Sequence, residues 1–86
     1  MARHAFAMDV RALVGRNFRR FRQKAGLTQE DVQERAGFSQ QYVSELENGK
    51  CNPELETLFG LAKAVSASAV DLVAMDEIAV RELKSK

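Results

Sequence analysis

The chain of 86 residues contains no tryptophan and only one cysteine, one histidine and one proline. A single cysteine excludes an internal disulfide framework, and one cysteine with one histidine cannot fill the four ligand positions of a structural zinc site. No apolar run approaches the roughly 18 residues that a membrane span needs, and the N-terminus lacks the apolar core of a signal peptide. We therefore expect a cytoplasmic protein that binds no metal or other cofactor and no membrane.

The net charge is also small, +1, but basic and acidic side chains are unevenly distributed. Residues 1–26 carry seven basic side chains and one acidic, a net charge of +6, and the rest carries six basic and eleven acidic, a net charge of −5. One face of such a protein could approach a polyanion, and the alternative is a solvated, charged helix. With 45% hydrophobic residues, the composition is that of one folded domain with one core.

The spacing of apolar residues predicts an all-α protein, because they recur every three or four positions and no segment alternates as a strand does. A first helix is predicted from an Asp9 N-cap to about Ala25, a fourth after Pro53 and a fifth after a Ser68 N-cap. The apolar stripe of the first helix comprises Val10, Val14, Phe18, Phe21 and Ala25. That of the fourth comprises Leu55, Leu58, Phe59, Ala62 and Val65.

The predicted helices suggest three regions along the chain. They are an N-terminal arm over residues 1–8, a helical domain over residues 9–75 and a C-terminal tail over residues 76–86. The tail could form a short helix with Ile78 and Leu83 on one side.

Two short helices in the middle of the chain are joined by a tight turn. Thr28 opens the earlier one, with Asp31 where a capping box prefers Glu or Gln, and Gly37 ends it. Ser39 opens the later one, which ends before an Asn48–Gly49 turn. This arrangement is typical of a helix-turn-helix unit, whose second helix is short enough to enter the major groove of DNA.

The second helix of this unit is predicted to have one apolar and one polar face. Val43 and Leu46 point towards the core. The opposite face carries Gln40, Gln41, Ser44 and Glu45. Two adjacent amides near a helix N-terminus suit base reading, because glutamine can donate to and accept from adenine at once. A solvated polar face is the alternative on these residues alone.

Five spaced segments of the chain form a recognisable pattern. They are RQKAGLTQED at residues 22–31, AGFS at 36–39, VSELENGK at 43–50, NP at 52–53 and LETL at 55–58. The region from about Val14 to Val73 therefore resembles the helix-turn-helix domain of the phage-repressor (Cro/CI, or XRE) family. The resemblance implies a compact five-helix, lambda-repressor-like DNA-binding domain.

We expect DNA contacts at two sets of positions, most of which match contact positions of that family. The base-contacting set is Gln40, Gln41, Ser44 and Glu45. The phosphate-contacting set is Thr28, Gln29, Tyr42, Asn48 and Lys50. The family position of Gln29 also buttresses the next amide. Packing is the alternative for Tyr42, and Glu45 could either accept from a cytosine amine or pair with a neighbouring cation.

Arg22 and Glu47 match a charge pair of the family that links the first helix to the end of the third. A guanidinium and a carboxylate there could form a bidentate pair. If the pair is buried, deletion of one partner should cost roughly 3–5 kcal/mol. A surface pair, the alternative, is worth under about 1 kcal/mol.

Other residues depart from the family pattern or remain without a role. Gln33 stands where the family usually has alanine facing the third helix, so it must either bend outward or widen that contact. Ser66 stands where the family often has glycine, and a left-handed turn costs a residue with a Cβ about 1 kcal/mol, so this turn could differ. Cys51 could sense oxidation only if its thiol were exposed and of low pKa.

These observations predict a transcriptional regulator that binds a palindromic operator as a homodimer, because one recognition helix in the major groove reads only a few base pairs. The apolar residues available for a dimer interface are Val70, Val73, Ile78, Val80 and Leu83. Coverage of the monomer's own core is the alternative for them. The competing function is a protein-interaction module, such as an antitoxin or a restriction–modification controller, with an unknown protein partner and secondary DNA binding. An enzyme is not expected, since there is no workable Cys–His pair, glycine-rich phosphate loop or carboxylate cluster.

Overall fold

The computed structural model describes residues 9–78 and residue 81. In that part of the chain it has no strand and five helices, namely α1 (Val10–Lys24), α2 (Gln29–Ala36), α3 (Gln40–Glu47), α4 (Leu55–Ala64) and α5 (Ala69–Val73). The predicted all-α, five-helix fold is confirmed. Within the tail, residues 77, 78 and 81 have helical backbone conformation. The predicted arm over residues 1–8, together with Val80 and Leu83, lies outside the described residues.

Side-chain caps begin four of the five helices. The Asp9 carboxylate accepts from the first N–H groups of α1, and the Ser39 hydroxyl accepts from the N–H of Tyr42 in α3. At the start of α2, Thr28 and Asp31 form a complete capping box, in which each side chain accepts from the backbone N–H of the other residue. A second box begins α5. These bonds satisfy N–H groups that have no partner inside the helix, so they define where each helix starts.

Left-handed backbone conformations occur in several turns, including those that follow α2 and α4. Gly37 ends α2 with φ +81°, which lets the chain reverse into α3 after only three residues. Ser66 follows α4 with φ +60°. The turn at Ser66 therefore keeps the left-handed conformation although its residue carries a Cβ.

The core draws apolar side chains from all five helices. The largest fully buried apolar side chains are Phe18, Val32, Val43, Leu46, Leu61, Val65 and Leu72. α1 and α3 approach each other closely at Gly15, where a Cβ atom would overlap the carbonyl oxygen of Leu46. The position of α3 on α1 is therefore set by backbone contact as well as by side-chain packing.

The predicted apolar stripes of α1 and α4 are wrong at four positions. Val10 and Ala25 are exposed at the two ends of α1, and Leu55 and Phe59 of α4 are 70% and 59% exposed. On α4 the core is contacted instead through Leu61. Leu61 and Phe59 lie two positions apart, or about 200° around the helix, so only one of them can face the core. Periodicity does not say which, because that depends on where the neighbouring helices lie.

A buried asparagine anchors α5 to α1. Asn17 has no exposed surface, and its Nδ2 donates to the carbonyl oxygens of Leu72, at 2.9 Å, and Ala74, at 3.0 Å. Its Oδ1 accepts from Arg20, which also bonds the carboxylate of Asp76 at 3.1 Å. The last carbonyls of α5 therefore find donors on α1, and the start of the tail is tied to the same helix.

Candidate nucleic-acid interface

The two faces of α3 differ sharply in exposure. Val43 and Leu46 have no exposed surface. On the other side, Gln40, Gln41 and Glu45 are exposed, and Ser44 is half-buried. These four residues line a shallow, open groove together with Gln29 of α2. α3 thus presents a continuous row of amide, hydroxyl and carboxylate groups, which are the groups that hydrogen-bond to base edges.

The Arg22–Glu47 pair joins α1 to the end of α3 and is bidentate. Arg22 Nε lies 2.6 Å from Glu47 Oε2, and Nη2 lies 3.0 Å from Oε1. The two side chains are only 10% and 6% exposed, so this is the buried form of the pair. Arg22 Nη1 also donates to the carbonyl oxygen of Leu27 at 2.7 Å, just before α2. One guanidinium on α1 therefore links the end of α3 to the segment that leads into α2.

Two glutamines of α2 contact α3 at its opposite ends. Gln29 Nε2 donates to Glu47 Oε1 at 3.1 Å, so Gln29 contacts the ion pair at the end of α3. At the start of α3, Gln33 Oε1 accepts from the backbone N–H of Gln40 at 2.7 Å. Gln33 is exposed, and so it has the outward-bent arrangement rather than one wedged between the helices. Sequence reasoning missed this bond; its only signal was an amide at a position facing the next helix.

The remaining residues assigned to phosphate lie at the start of α2, within α3 or just after it. The ring of Tyr42 stacks on Phe38 with centroids 6.0 Å apart, so it packs against a neighbour, and burial raises the pKa of its hydroxyl. Thr28 caps α2, and Asn48 Nδ2 donates to the Ser44 carbonyl oxygen at 2.8 Å. Lys50 is exposed beyond the end of α3.

The structure bears on two further residues that the sequence left open. Glu45 forms no ion pair with any residue in the described part of the chain. The alternative pair with a neighbouring cation is therefore not formed there. Cys51 is half-buried, and burial together with the charge of Glu45 raises the pKa of its thiol. A redox sensor requires the opposite shift, so the thiol is poorly suited to that role.

Residues 9–78 and 81 contain neither a metal-ligand cluster nor a membrane-spanning helix. No three His, Cys, Asp or Glu side chains there are grouped as metal ligands. No helix in the same part is long and apolar enough to span a membrane.

The fold and the polar face of α3 define a helix-turn-helix DNA-binding domain. A family model described as helix-turn-helix (HTH_3) matches residues 18–72. The uncharacterized HTH-type transcriptional regulator y4dJ of Sinorhizobium fredii is 58% identical over 66 residues, which cover 77% of this chain and 86% of that protein. The chain therefore belongs to the XRE (Cro/CI) helix-turn-helix family of DNA-binding transcriptional regulators.

Two more distant similarities agree with this assignment. The control protein C.SmaI of Serratia marcescens is 33% identical over 66 residues, covering 77% of this chain and 79% of that protein. The crystal structure of the hypothetical transcription factor NHTF from Neisseria superposes with a TM-score of 0.73 at 28% identity. That match covers 90% of this chain and 85% of the other.

Proposed function

We propose that this protein is a sequence-specific regulator of transcription that inserts α3 into the major groove of double-stranded DNA. The observation that carries the proposal is the exposed polar face of α3 opposite its buried apolar face. Gln40 and Gln41 can each bond an adenine edge with two hydrogen bonds, and Ser44 and Glu45 continue the row. This role requires a cytoplasmic location, where the protein meets the chromosome.

We assign phosphate contacts to donor groups at the rim of this face. Gln29 and Asn48 each use one amide hydrogen inside the protein and keep a second for DNA. The hydroxyls of Thr28 and Tyr42 and the ammonium of Lys50 supply the other donors. Such contacts fix the register of the protein on DNA, while the α3 side chains supply the sequence preference.

The proposed binding unit is a homodimer on a palindromic operator. α5 and the residues after it expose a group of apolar side chains. They are Val70 at 72%, Val73 at 46%, Met75 at 53% and Ile78 at 49% exposed. The monomer's own core does not use these side chains, which leaves them available for a two-fold interface. Two recognition helices about one DNA turn (~34 Å) apart would then read two half-sites.

Selection of binders from a randomised duplex DNA pool, at near-physiological salt, tests base reading. We expect a palindrome with half-sites about one turn apart. Replacing both Gln40 and Gln41 with alanine should relax the preference by roughly 1–3 kcal/mol for each lost bidentate contact. Gln23→Ala, an exposed glutamine on α1, is the matched control and should leave the preference intact. A preference that survives the double change would show that the bases are read elsewhere.

Sedimentation equilibrium tests the dimer. We expect concentration-dependent association of the wild-type protein and its loss when Val70 and Val73 are both replaced by aspartate. Leu55→Asp on α4 is the control, since Leu55 is equally exposed but outside the proposed interface. A wild-type monomer at high micromolar concentration, or equal loss of association in the control, would rule out the α5 interface.

The similarity to the control protein C.SmaI supports a second candidate, a controller of a restriction–modification system. This candidate uses the same DNA-binding surface and differs in the genes that it regulates. A binding site within the promoter of a restriction or methyltransferase gene adjacent to the gene for this protein would favour it.

A further inference from the structure

The N-terminal end of α3 is held by an amide of α2. Of the first N–H groups of α3, that of Tyr42 donates to the Ser39 hydroxyl and that of Gln40 donates to Gln33. The second bond joins residues seven positions apart, across the turn that contains Gly37. It connects the two helices of the unit directly at the point where α3 begins.

The orientation of the Gln33 amide follows from this bond. A backbone N–H can only donate, so the atom that faces it must be the carbonyl oxygen of the side chain. A side chain of the same shape without an acceptor would leave the Gln40 N–H without this partner. A glutamate would keep the acceptor, and a negative charge is favourable at a helix N-terminus.

Gln33 bonds the first residue of the polar face proposed to read DNA. Gln40 is the first residue of α3 and belongs to its exposed polar face. Gln29, four residues before Gln33 on α2, contacts Glu47 at the last residue of α3. One face of α2 therefore bonds α3 at both of its ends.

We propose that Gln33 is a positioning residue for DNA recognition, which holds the start of α3 against α2 and so sets where Gln40 presents its amide to a base. This inference rests on the proposed function, because it requires that Gln40 reads DNA. A small displacement of Gln40 is enough to matter, since a bidentate contact to a base depends on the placement of both side-chain atoms.

The test compares base preference in three variants, measured as relative affinity for the selected operator and for operators changed one base pair at a time. The base pair read by Gln40 is the one at which Gln40→Ala loses preference. Gln33→Leu removes the acceptor, Gln33→Glu retains it, and Gln23→Leu on α1 is the matched control. Melting temperatures, expected to stay close to that of the wild type because Gln33 is exposed, show that each variant is folded.

We expect Gln33→Leu to lower the preference at the Gln40 base pair roughly threefold to tenfold, the range that corresponds to loss of one hydrogen bond. In a Gln40→Ala background the same change should have no further effect at that base pair. Gln33→Glu should keep the wild-type preference at the Gln40 base pair, because it retains the acceptor. Its negative charge should weaken binding to every site, and more so at low salt. In the unbound protein, the amide hydrogen of Gln40 should exchange faster in Gln33→Leu than in Gln33→Glu.

Three results would overturn the inference. One is a wild-type base preference in Gln33→Leu. A second is a loss of affinity in Gln33→Leu that is equal for all sites. A third is unchanged exchange at the Gln40 amide. A wild-type protein without any base preference would instead overturn the proposed function itself and this inference with it.

Discussion

The helices α3 and α5 both pack on α1, but the contacts that hold them differ in kind. α3 is in backbone contact with α1 at Gly15, buries two apolar side chains completely and ends in the buried Arg22–Glu47 pair. α5 has only five residues, of which Leu72 alone is buried, and a single asparagine of α1 bonds its last carbonyls. The surface proposed to read DNA is therefore placed before DNA arrives, whereas α5 leaves most of its apolar surface uncovered.

This difference shows how a small domain can divide its buried contacts. Buried polar bonds require matched geometry, and they fix orientation better than apolar contact alone does. Most of the hydrogen bonds between helices involve α3, the helix proposed to read DNA. The few at α5 hold it in place and leave Val70 and Val73 exposed. Four predictions test this comparison.

Removal of the Glu47 carboxylate should have the largest effect. Glu47→Ala leaves Arg22 buried without its partner, so the free energy of unfolding should fall by about 3–5 kcal/mol. Glu45→Ala, two residues earlier on the same helix but exposed, should change it by less than about 0.5 kcal/mol. Urea denaturation measures both, and similar losses in the two variants would contradict the importance of the buried pair.

The close approach of α1 and α3 predicts a contrast between two glycines in helices. Gly15→Ala should lower the free energy of unfolding by about 3 kcal/mol, because its Cβ meets the backbone of α3, which cannot move aside. At Gly60 in α4 a Cβ would lie 3.4 Å from the edge of the Phe38 ring, which can adjust. Gly60→Ala should therefore be neutral or stabilising by up to about 1 kcal/mol, the usual gain in helix propensity. Thermal unfolding measures the stability of both variants. A Gly15→Ala variant as stable as the wild type would contradict the close backbone approach of α1 and α3.

Loss of the Asn17 anchor of α5 should lower the free energy of unfolding by less than the two changes above. Asn17→Ala leaves the Leu72 and Ala74 carbonyls without their donor, and we expect a loss of about 2 kcal/mol. Amide exchange should rise in α5 more than in α3, since Asn17 bonds the end of α5 and makes no bond to α3. Asn52→Ala, at an exposed loop position, is the control. A uniform rise over both helices would contradict the separate anchoring of α5.

Loss of the Asp31 carboxylate from the capping box of α2 should have the smallest effect on stability, and this effect should depend on pH. Hydrogen bonds from the backbone and the hydroxyl of Thr28 lower the pKa of the Asp31 carboxyl below its usual value. A lowered pKa in the folded state adds stability above the unfolded value of about 3.9, and that stability is lost as pH falls through the folded value. The melting temperature of Asp31→Asn should therefore lie below that of the wild type at pH 7 and approach it below pH ~3.9. A difference that stays constant with pH would exclude the charged carboxylate as its source.

Local features of the fold were predictable from sequence, and long-range ones were not. Caps and turn residues such as Ser39 and Gly37 act on backbone groups within a few positions, so the sequence alone locates the ends of the helices. Burial depends on neighbouring helices, which is why Phe59 was assigned to the core although it is exposed.

Polar contacts between helices were equally hard to predict from local sequence. The polar face of α3 followed from helical spacing, and the Arg22–Glu47 pair from the family resemblance. Asn17 gave no signal, because a polar residue within a helix is usually on the surface. The bond from Gln33 to Gln40 could not be predicted either, since it depends on how α2 and α3 pack after the turn.

The left-handed turn at Ser66 affects which substitutions the protein can tolerate as its sequence evolves. A residue with a Cβ costs about 1 kcal/mol in that conformation, so the present sequence does not have the highest stability that its backbone allows. Glycine at this position would relieve the strain and offset a destabilising substitution elsewhere, for example one on α3 that alters the bases it reads. A position outside the proposed DNA-binding surface could in this way permit a change in DNA specificity.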